Sequence, residues 1–85
     1  MARYSLRFKK SVSKDLRSIP KQDIKRILKR IAALVDDPRP VGAEKLCTRE
    51  LYRIRQGRYR ILYEIQDAVL IVVGVRIGKR SEVYR

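Results

Sequence analysis

The chain has 85 residues, of which 45% are hydrophobic, so it has room for a single domain (1–85) with one modest core and is not a disordered tail. Lys and Arg total 22 against 9 Asp and Glu, a formal net charge of +13 whose self-repulsion a polyanion would relieve: RNA, DNA, an anionic membrane or an acidic protein. With no His and one Cys, Cys47, there is no internal disulfide framework, no Cys-based zinc site and no histidine acid–base chemistry.

In chain order, Tyr4, Leu6 and Phe8 alternate with Arg3, Ser5 and Arg7, which predicts a half-buried first strand. Ser11 or Ser13 is placed to cap a short helix with Val12, Leu16 and Ile19 on one face. Pro20 fits the first turn of a second helix, where its missing N–H costs nothing. Ile24, Ile27, Leu28, Ile31, Leu34 and Val35 form that helix's apolar stripe, and lysines and arginines occupy the rest of its surface. The run Asp36-Asp37-Pro38-Arg39-Pro40-Val41-Gly42 stops it.

A short link through Lys45 and Leu46 leads to three predicted strands: Leu51 to Arg55, Arg58 to Ile65, and Ala68 to Ile77. Gln56-Gly57 and Gln66-Asp67 are the expected two-residue turns. Val69 to Val75 is almost wholly apolar, as in a central strand covered on both faces. The expected fold is α+β: an N-terminal strand and a two-helix hairpin packed on one face of a mainly antiparallel four-stranded sheet. The other face is at least partly open.

With Gln56 and Gly57 as the turn, Arg55 faces Arg58, Ile54 faces Tyr59, Arg53 faces Arg60, and Tyr52 faces Ile61. Tyr52, Ile54, Tyr59, Ile61 and Tyr63 then point to the core, and Arg53, Arg55, Arg58 and Arg60 share the opposite face. Glu64 is the nearest acid on that face by alternation. Like charges directly across a ladder are destabilising, so the arrangement favours a bound anion. Guanidinium forks suit phosphate because they donate two hydrogen bonds and stay charged. The alternative is a solvated face whose arginine stems cover apolar surface. Cys47 lies in a polar stretch and is read as structural. Beyond the last strand, Arg80 is placed to turn toward the arginine face, and Tyr84 either stacks on a base or ties down the C-terminus.

The stretch from Leu51-Tyr52-Arg53-Ile54-Arg55 through Gly57-Arg58-Tyr59-Arg60-Ile61-Leu62-Tyr63 to Gly78-Lys79-Arg80-Ser81-Glu82-Val83-Tyr84 resembles the RelE/ParE toxin superfamily. The resemblance extends to the N-terminal strand and helical hairpin, with Asp37-Pro38-Arg39 as the post-helix loop. It implies the toxin of a type II toxin–antitoxin system. For a RelE-type member it implies a ribosome-dependent endoribonuclease that cleaves mRNA in the A site and inhibits translation. The chemistry is attack of a ribose 2′-OH on its own 3′ phosphate, which requires proton removal, phosphorane stabilisation and leaving-group protonation.

By motif position, the resemblance makes Arg53 a transition-state stabiliser and Arg60 the phosphate-binding arginine. Arg55 takes the place of a lysine proposed as general base, Arg80 that of a general acid, and Tyr84 that of a base-stacking tyrosine. Arg58, Lys79 and Lys45 are the expected flanking RNA-binding cations. Arginine is a poor proton acceptor, since it keeps its proton and charge up to pH ~12. Either another group takes the proton, Tyr84 being the obvious candidate, or electrostatic stabilisation dominates. The expected partners are a cognate antitoxin, the ribosome and mRNA, with operator DNA only indirectly through the antitoxin complex. No cofactor, metal or membrane is expected, and the cytoplasm is the expected location, as no apolar run approaches the ~20 residues of a membrane span. A ParE-type inhibitor of DNA gyrase and a non-catalytic RNA-binding homologue are the alternatives.

Overall fold

A computed structural model describes residues 4–46 and 50–77. The elements are β1 (Ser5–Phe8), α1 (Lys10–Arg17), α2 (Lys21–Asp36), β2 (Glu44–Lys45), β3 (Leu51–Gln56), β4 (Tyr59–Gln66) and β5 (Val69–Ile77). The strands form a sheet of order β1-β5-β4-β3-β2, with β1 parallel to β5 and the other pairs antiparallel. The fifth strand, β2, lies where the sequence suggests only a link. It is two residues long, too short for any alternation to announce it.

The first helix begins without a side-chain cap. Ser11 and Ser13, the expected caps, do other work: Ser13 Oγ donates to the Lys10 carbonyl and Ser11 Oγ to the Val73 carbonyl. Pro20 sits just outside α2, and its carbonyl accepts the N–H groups of Asp23 and Ile24. The stripe of α2 buries Ile27, Ile31, Leu34 and Val35, whereas Leu28 falls at its margin and stays 43% exposed. Leu6 and Phe8 of β1 are also exposed, at 39% and 46%, because the strand is a sheet edge.

Val12, Ile27, Ile31 and Leu34 pack with Tyr52, Ile54, Tyr59, Ile61, Tyr63, Leu70, Val72 and Val75 in one core. Tyr63 is fully buried, stacks on Tyr52 with ring centroids 5.6 Å apart, and donates its hydroxyl to the Pro38 carbonyl at 2.6 Å. Burial pushes its phenol up to about 12. Tyr59 is tied to α2 by a 2.7 Å bond from its hydroxyl to Asp23 Oδ2.

Both hairpin turns sit one residue later than the sequence suggests. Gln56 faces Tyr59, so the first turn is Gly57-Arg58; Gln66 faces Val69, so the second is Asp67-Ala68. Gly57 has φ +60, which puts the glycine at the first central position, the requirement of a type II′ turn. Arg55 therefore pairs with Arg60, Ile54 with Ile61, Arg53 with Leu62 and Tyr52 with Tyr63. The pairing of Arg55 with Arg58 and Arg53 with Arg60 is corrected, but the faces of the strand residues are not; Arg58 alone leaves the arginine face, because it falls in the turn. A shift of two residues along one strand preserves which side each residue occupies.

A bulge separates Leu62 from Tyr63: Leu62 pairs with Gly74 and Tyr63 with Val72, leaving Val73 as the extra residue. Alternation in β5 changes parity there. Leu70 and Val72 face the core before it, and Val75 faces the core after it. Beyond Phe8 the outer edge of β5 has no strand neighbour among the described residues. The first helix covers it, with Ser11 on the Val73 carbonyl and Asp15 Oδ2 accepting the Val75 N–H at 3.1 Å.

Candidate functional site

The face of the sheet away from the core carries the arginines. Arg55, Arg60 and Arg76 are successive Cα partners across β3, β4 and β5, and so form one rung of like charge. Arg53 stands on the neighbouring rung, with Leu62 and Gly74 as the next residues across. Arg53, Arg60, Leu62, Arg76 and Ile77 line a shallow depression of ≈ 320 Å³. Adjacent strands lie ~4.8 Å apart, so the rung spans roughly 10 Å at the backbone. That is room for guanidinium groups to converge on more than one phosphate. Each facing like-charged pair costs of order 0.2–1 kcal/mol without a counter-anion.

Of the residues expected at the site, Arg53, Arg55 and Arg60 are brought together. Arg58 is not. It occupies the turn, and its guanidinium lies over the ring of Tyr59, 5.9 Å from the centroid, on the core side of the hairpin. Lys45 is also elsewhere. It pairs with the core-facing Tyr52, and its Nζ lies 2.9 Å from Glu50 Oε2. Cys47, Lys79, Arg80 and Tyr84 fall outside the described residues.

Lys45 belongs to a separate cluster that closes the post-helix loop on β3. Arg39 donates from Nε to the Tyr52 hydroxyl at 2.9 Å and from Nη2 to Glu50, and the Tyr52 hydroxyl donates to Glu50 Oε1 at 3.0 Å. The hydrogen bonds from Lys45, Arg39 and Tyr52, in that order, pull the Glu50 carboxyl down to about 2. Arg39 also lies over the Tyr52 ring, 5.5 Å from its centroid.

Two residues of the arginine face are not evident from the sequence. Arg76 is the first. Simple alternation groups it with Leu70 and Val72 on the core side, and only the Val73 bulge turns it outward to face Arg60. A glycine in an otherwise apolar strand, Gly74, is the one local sign of that irregularity. Glu44 is the second. It is the Cα partner of Arg53, and its Oε1 is ion-paired with Arg53 Nη2. Among the described residues, no group of three or more His, Cys, Asp or Glu is arranged to hold a metal. No described helix is long and apolar enough to cross a membrane.

A two-helix layer on one side of a five-stranded, mostly antiparallel sheet matches the structures of RelE toxins. The model of the ParE toxin family of type II toxin–antitoxin systems matches residues 6–84, and the chain belongs to that family. It is 33% identical to Toxin RelG of Mycobacterium tuberculosis over 86 residues, covering 96% of this chain and 97% of that one. The isolated Escherichia coli RelE toxin superposes with a TM-score of 0.81 at 26% identity, over 95% of this chain and 90% of that one. The toxin of the archaeal RelE–RelB complex from Pyrococcus horikoshii gives 0.77 at 28% identity, over 91% and 97%. The protein is thus a RelE-like toxin of a type II toxin–antitoxin system.

Proposed function

We propose that this toxin is a ribosome-dependent endoribonuclease that cuts mRNA in the A site, and that a cognate antitoxin holds it inactive. The observation that carries this reading is the rung Arg55–Arg60–Arg76 beside Arg53 over an open depression, on the sheet face that neither described helix covers. Strand cleavage by the 2′-OH needs stabilisation of the added negative charge on phosphorus, and fixed guanidinium groups supply it without reorganising. Arg60 and Arg53 are assigned to the phosphate. Arg80 is assigned to the leaving 5′ oxygen and Tyr84 to the base of the substrate, both on motif position alone. The +13 net charge suits a site on the ribosome and an acidic antitoxin segment equally well.

The test is primer extension on translated mRNA after the toxin is induced. Cuts that recur with codon period are expected, together with loss of growth arrest in Arg60→Ala, with the fold retained. Intact mRNA in cells that nonetheless arrest, with the toxin folded, would overturn the reading. A second reading has one observation behind it, the matched family model, which is described by the ParE toxin. In that case induction produces DNA breaks and gyrase inhibition with intact mRNA.

A further inference from the structure

Arg76 reaches the arginine face only because β5 carries an extra residue at Val73. Without it, a period of two would turn Arg76 to the core side and Val75 outward. A bulge leaves its extra residue unpaired and disrupts the ladder locally, so the bulge needs partners from elsewhere. The first helix supplies them. Ser11 Oγ donates to the Val73 carbonyl at 3.2 Å, and Asp15 Oδ2 accepts the Val75 N–H at 3.1 Å. Ser11 and Asp15 are four residues apart, so they share one face of α1 and grip the strand on either side of Gly74.

Gly74 completes the arrangement. A Cβ built on it would lie 3.4 Å from Asp15 Oδ2 and 3.9 Å from both Nε and Nη2 of Arg76. The Arg76 guanidinium therefore lies back over the bare Cα of Gly74, and the Asp15 carboxylate borders the same space from the side of the helix. Gly74 is not at a positive φ, so the backbone makes no demand for glycine here. The use of the glycine is the room it leaves for the guanidinium.

We propose that Asp15 is a positioning residue of the RNA-binding face: it holds the Val73 bulge, and through the bulge and the bare Gly74 it sets the Arg76 guanidinium beside Arg60, ready for a phosphate. The inference rests on the part of the reading above in which the arginine rung holds RNA. Asp15 touches no substrate in this role and acts through Arg76. By charge alone, a carboxylate this close to a phosphate site is a disadvantage, because like charges brought together oppose binding. Its contribution is geometric, and that gives the two roles opposite signs in a binding experiment.

The experiment measures equilibrium binding of the full-length toxin to short poly(U) RNA over a salt series, with urea unfolding of each variant to fix conditions in which it is folded. Charge alone predicts that Asp15→Ala tightens binding, because an acid has gone. The positioning role predicts the reverse. Asp15→Ala should weaken binding as far as Arg76→Ala does, and make the slope of log K against log salt shallower by about 0.7, the loss of one phosphate contact. Added to Arg76→Ala, it should cause no further loss. Asp15→Asn, which keeps an oxygen for the Val75 N–H, should restore the wild-type slope. Gly74→Val tests the same link with Asp15 in place: its γ carbons take the space of the guanidinium, a flexible end that moves at little cost to the fold, and the slope should again become shallower by about 0.7. Should Asp15→Ala not fold, Gly74→Val alone decides. Wild-type or tighter binding in the deciding variant overturns the proposal, as does a further loss when Asp15→Ala is added to Arg76→Ala. An unchanged slope in Arg76→Ala also overturns it and leaves the cutting reading on Arg53, Arg55 and Arg60. Salt-dependent binding without cuts on ribosomes overturns the cutting reading alone. A folded wild type that binds no RNA overturns both.

Discussion

Arg76 owes its place opposite Arg60 to the single extra residue at Val73. Arg60 consequently has an arginine partner on each side, Arg55 in β3 and Arg76 in β5. Two adjacent like-charged pairs are a cost to the free protein and a gain to the complex, because a phosphate between them removes the repulsion. The two arginines are therefore expected to behave alike under substitution. For single-stranded RNA, each phosphate contact contributes about −0.7 to the slope of log K against log salt. Arg60→Ala and Arg76→Ala should each make that slope shallower by about 0.7. For Arg76→Ala, relief of repulsion should leave stability within ~0.5 kcal/mol of the wild type, or slightly above it. Equilibrium binding over a salt series, with urea unfolding alongside, checks both. An unchanged slope for Arg76→Ala would remove it from the contact surface.

At the scale of elements, the first helix does more than cover the core: it finishes the sheet. Asp15 supplies the acceptor that a neighbouring strand would otherwise give to the Val75 N–H. Asp15→Ala leaves that partly buried donor without the carboxylate and should cost about 1.5–3 kcal/mol, read as a shift of the urea midpoint. Asp15→Asn, which keeps an oxygen acceptor, should recover most of it. That contact could not be read from the sequence, because it joins residues 60 positions apart. The faces of β3 and β4 could be read, because the side-chain period of a strand is two and the misplaced turn shifted the pairing by an even number. The turn lies one residue beyond the Gln56-Gly57 pair that the strand pattern suggests, because Gln56 still pairs with Tyr59. The positive φ of Gly57 instead suits the first central position, with Arg58 after it. The bulge broke the same rule of alternation that served β3 and β4, and so hid Arg76. Glu44 was hidden because a two-residue strand has no periodicity, although the neighbouring Lys45 was legible as a cation and not as a partner of Glu50.

At the scale of the whole molecule, the governing quantity is +13 on a body with a radius of gyration of 12.6 Å. The Debye length is ~30 Å at 0.01 M salt, so at low salt nearly every cation repels every other across the domain. At 0.15 M it is ~8 Å, and only near neighbours still interact. The free toxin should therefore unfold at a lower temperature in 10 mM than in 150 mM KCl, the reverse of a fold that depends on surface ion pairs. A polyanion that binds the folded form raises the midpoint by mass action, and its effect must shrink over the same salt range in which the protein alone gains stability. Thermal unfolding followed by circular dichroism, with and without single-stranded RNA at both salt concentrations, separates the two terms. The curves should converge as salt rises. A midpoint that is insensitive to salt in the free toxin would mean that pairs such as Arg39–Glu50 and Arg53–Glu44 already offset the excess charge locally, leaving no electrostatic strain for a partner to relieve.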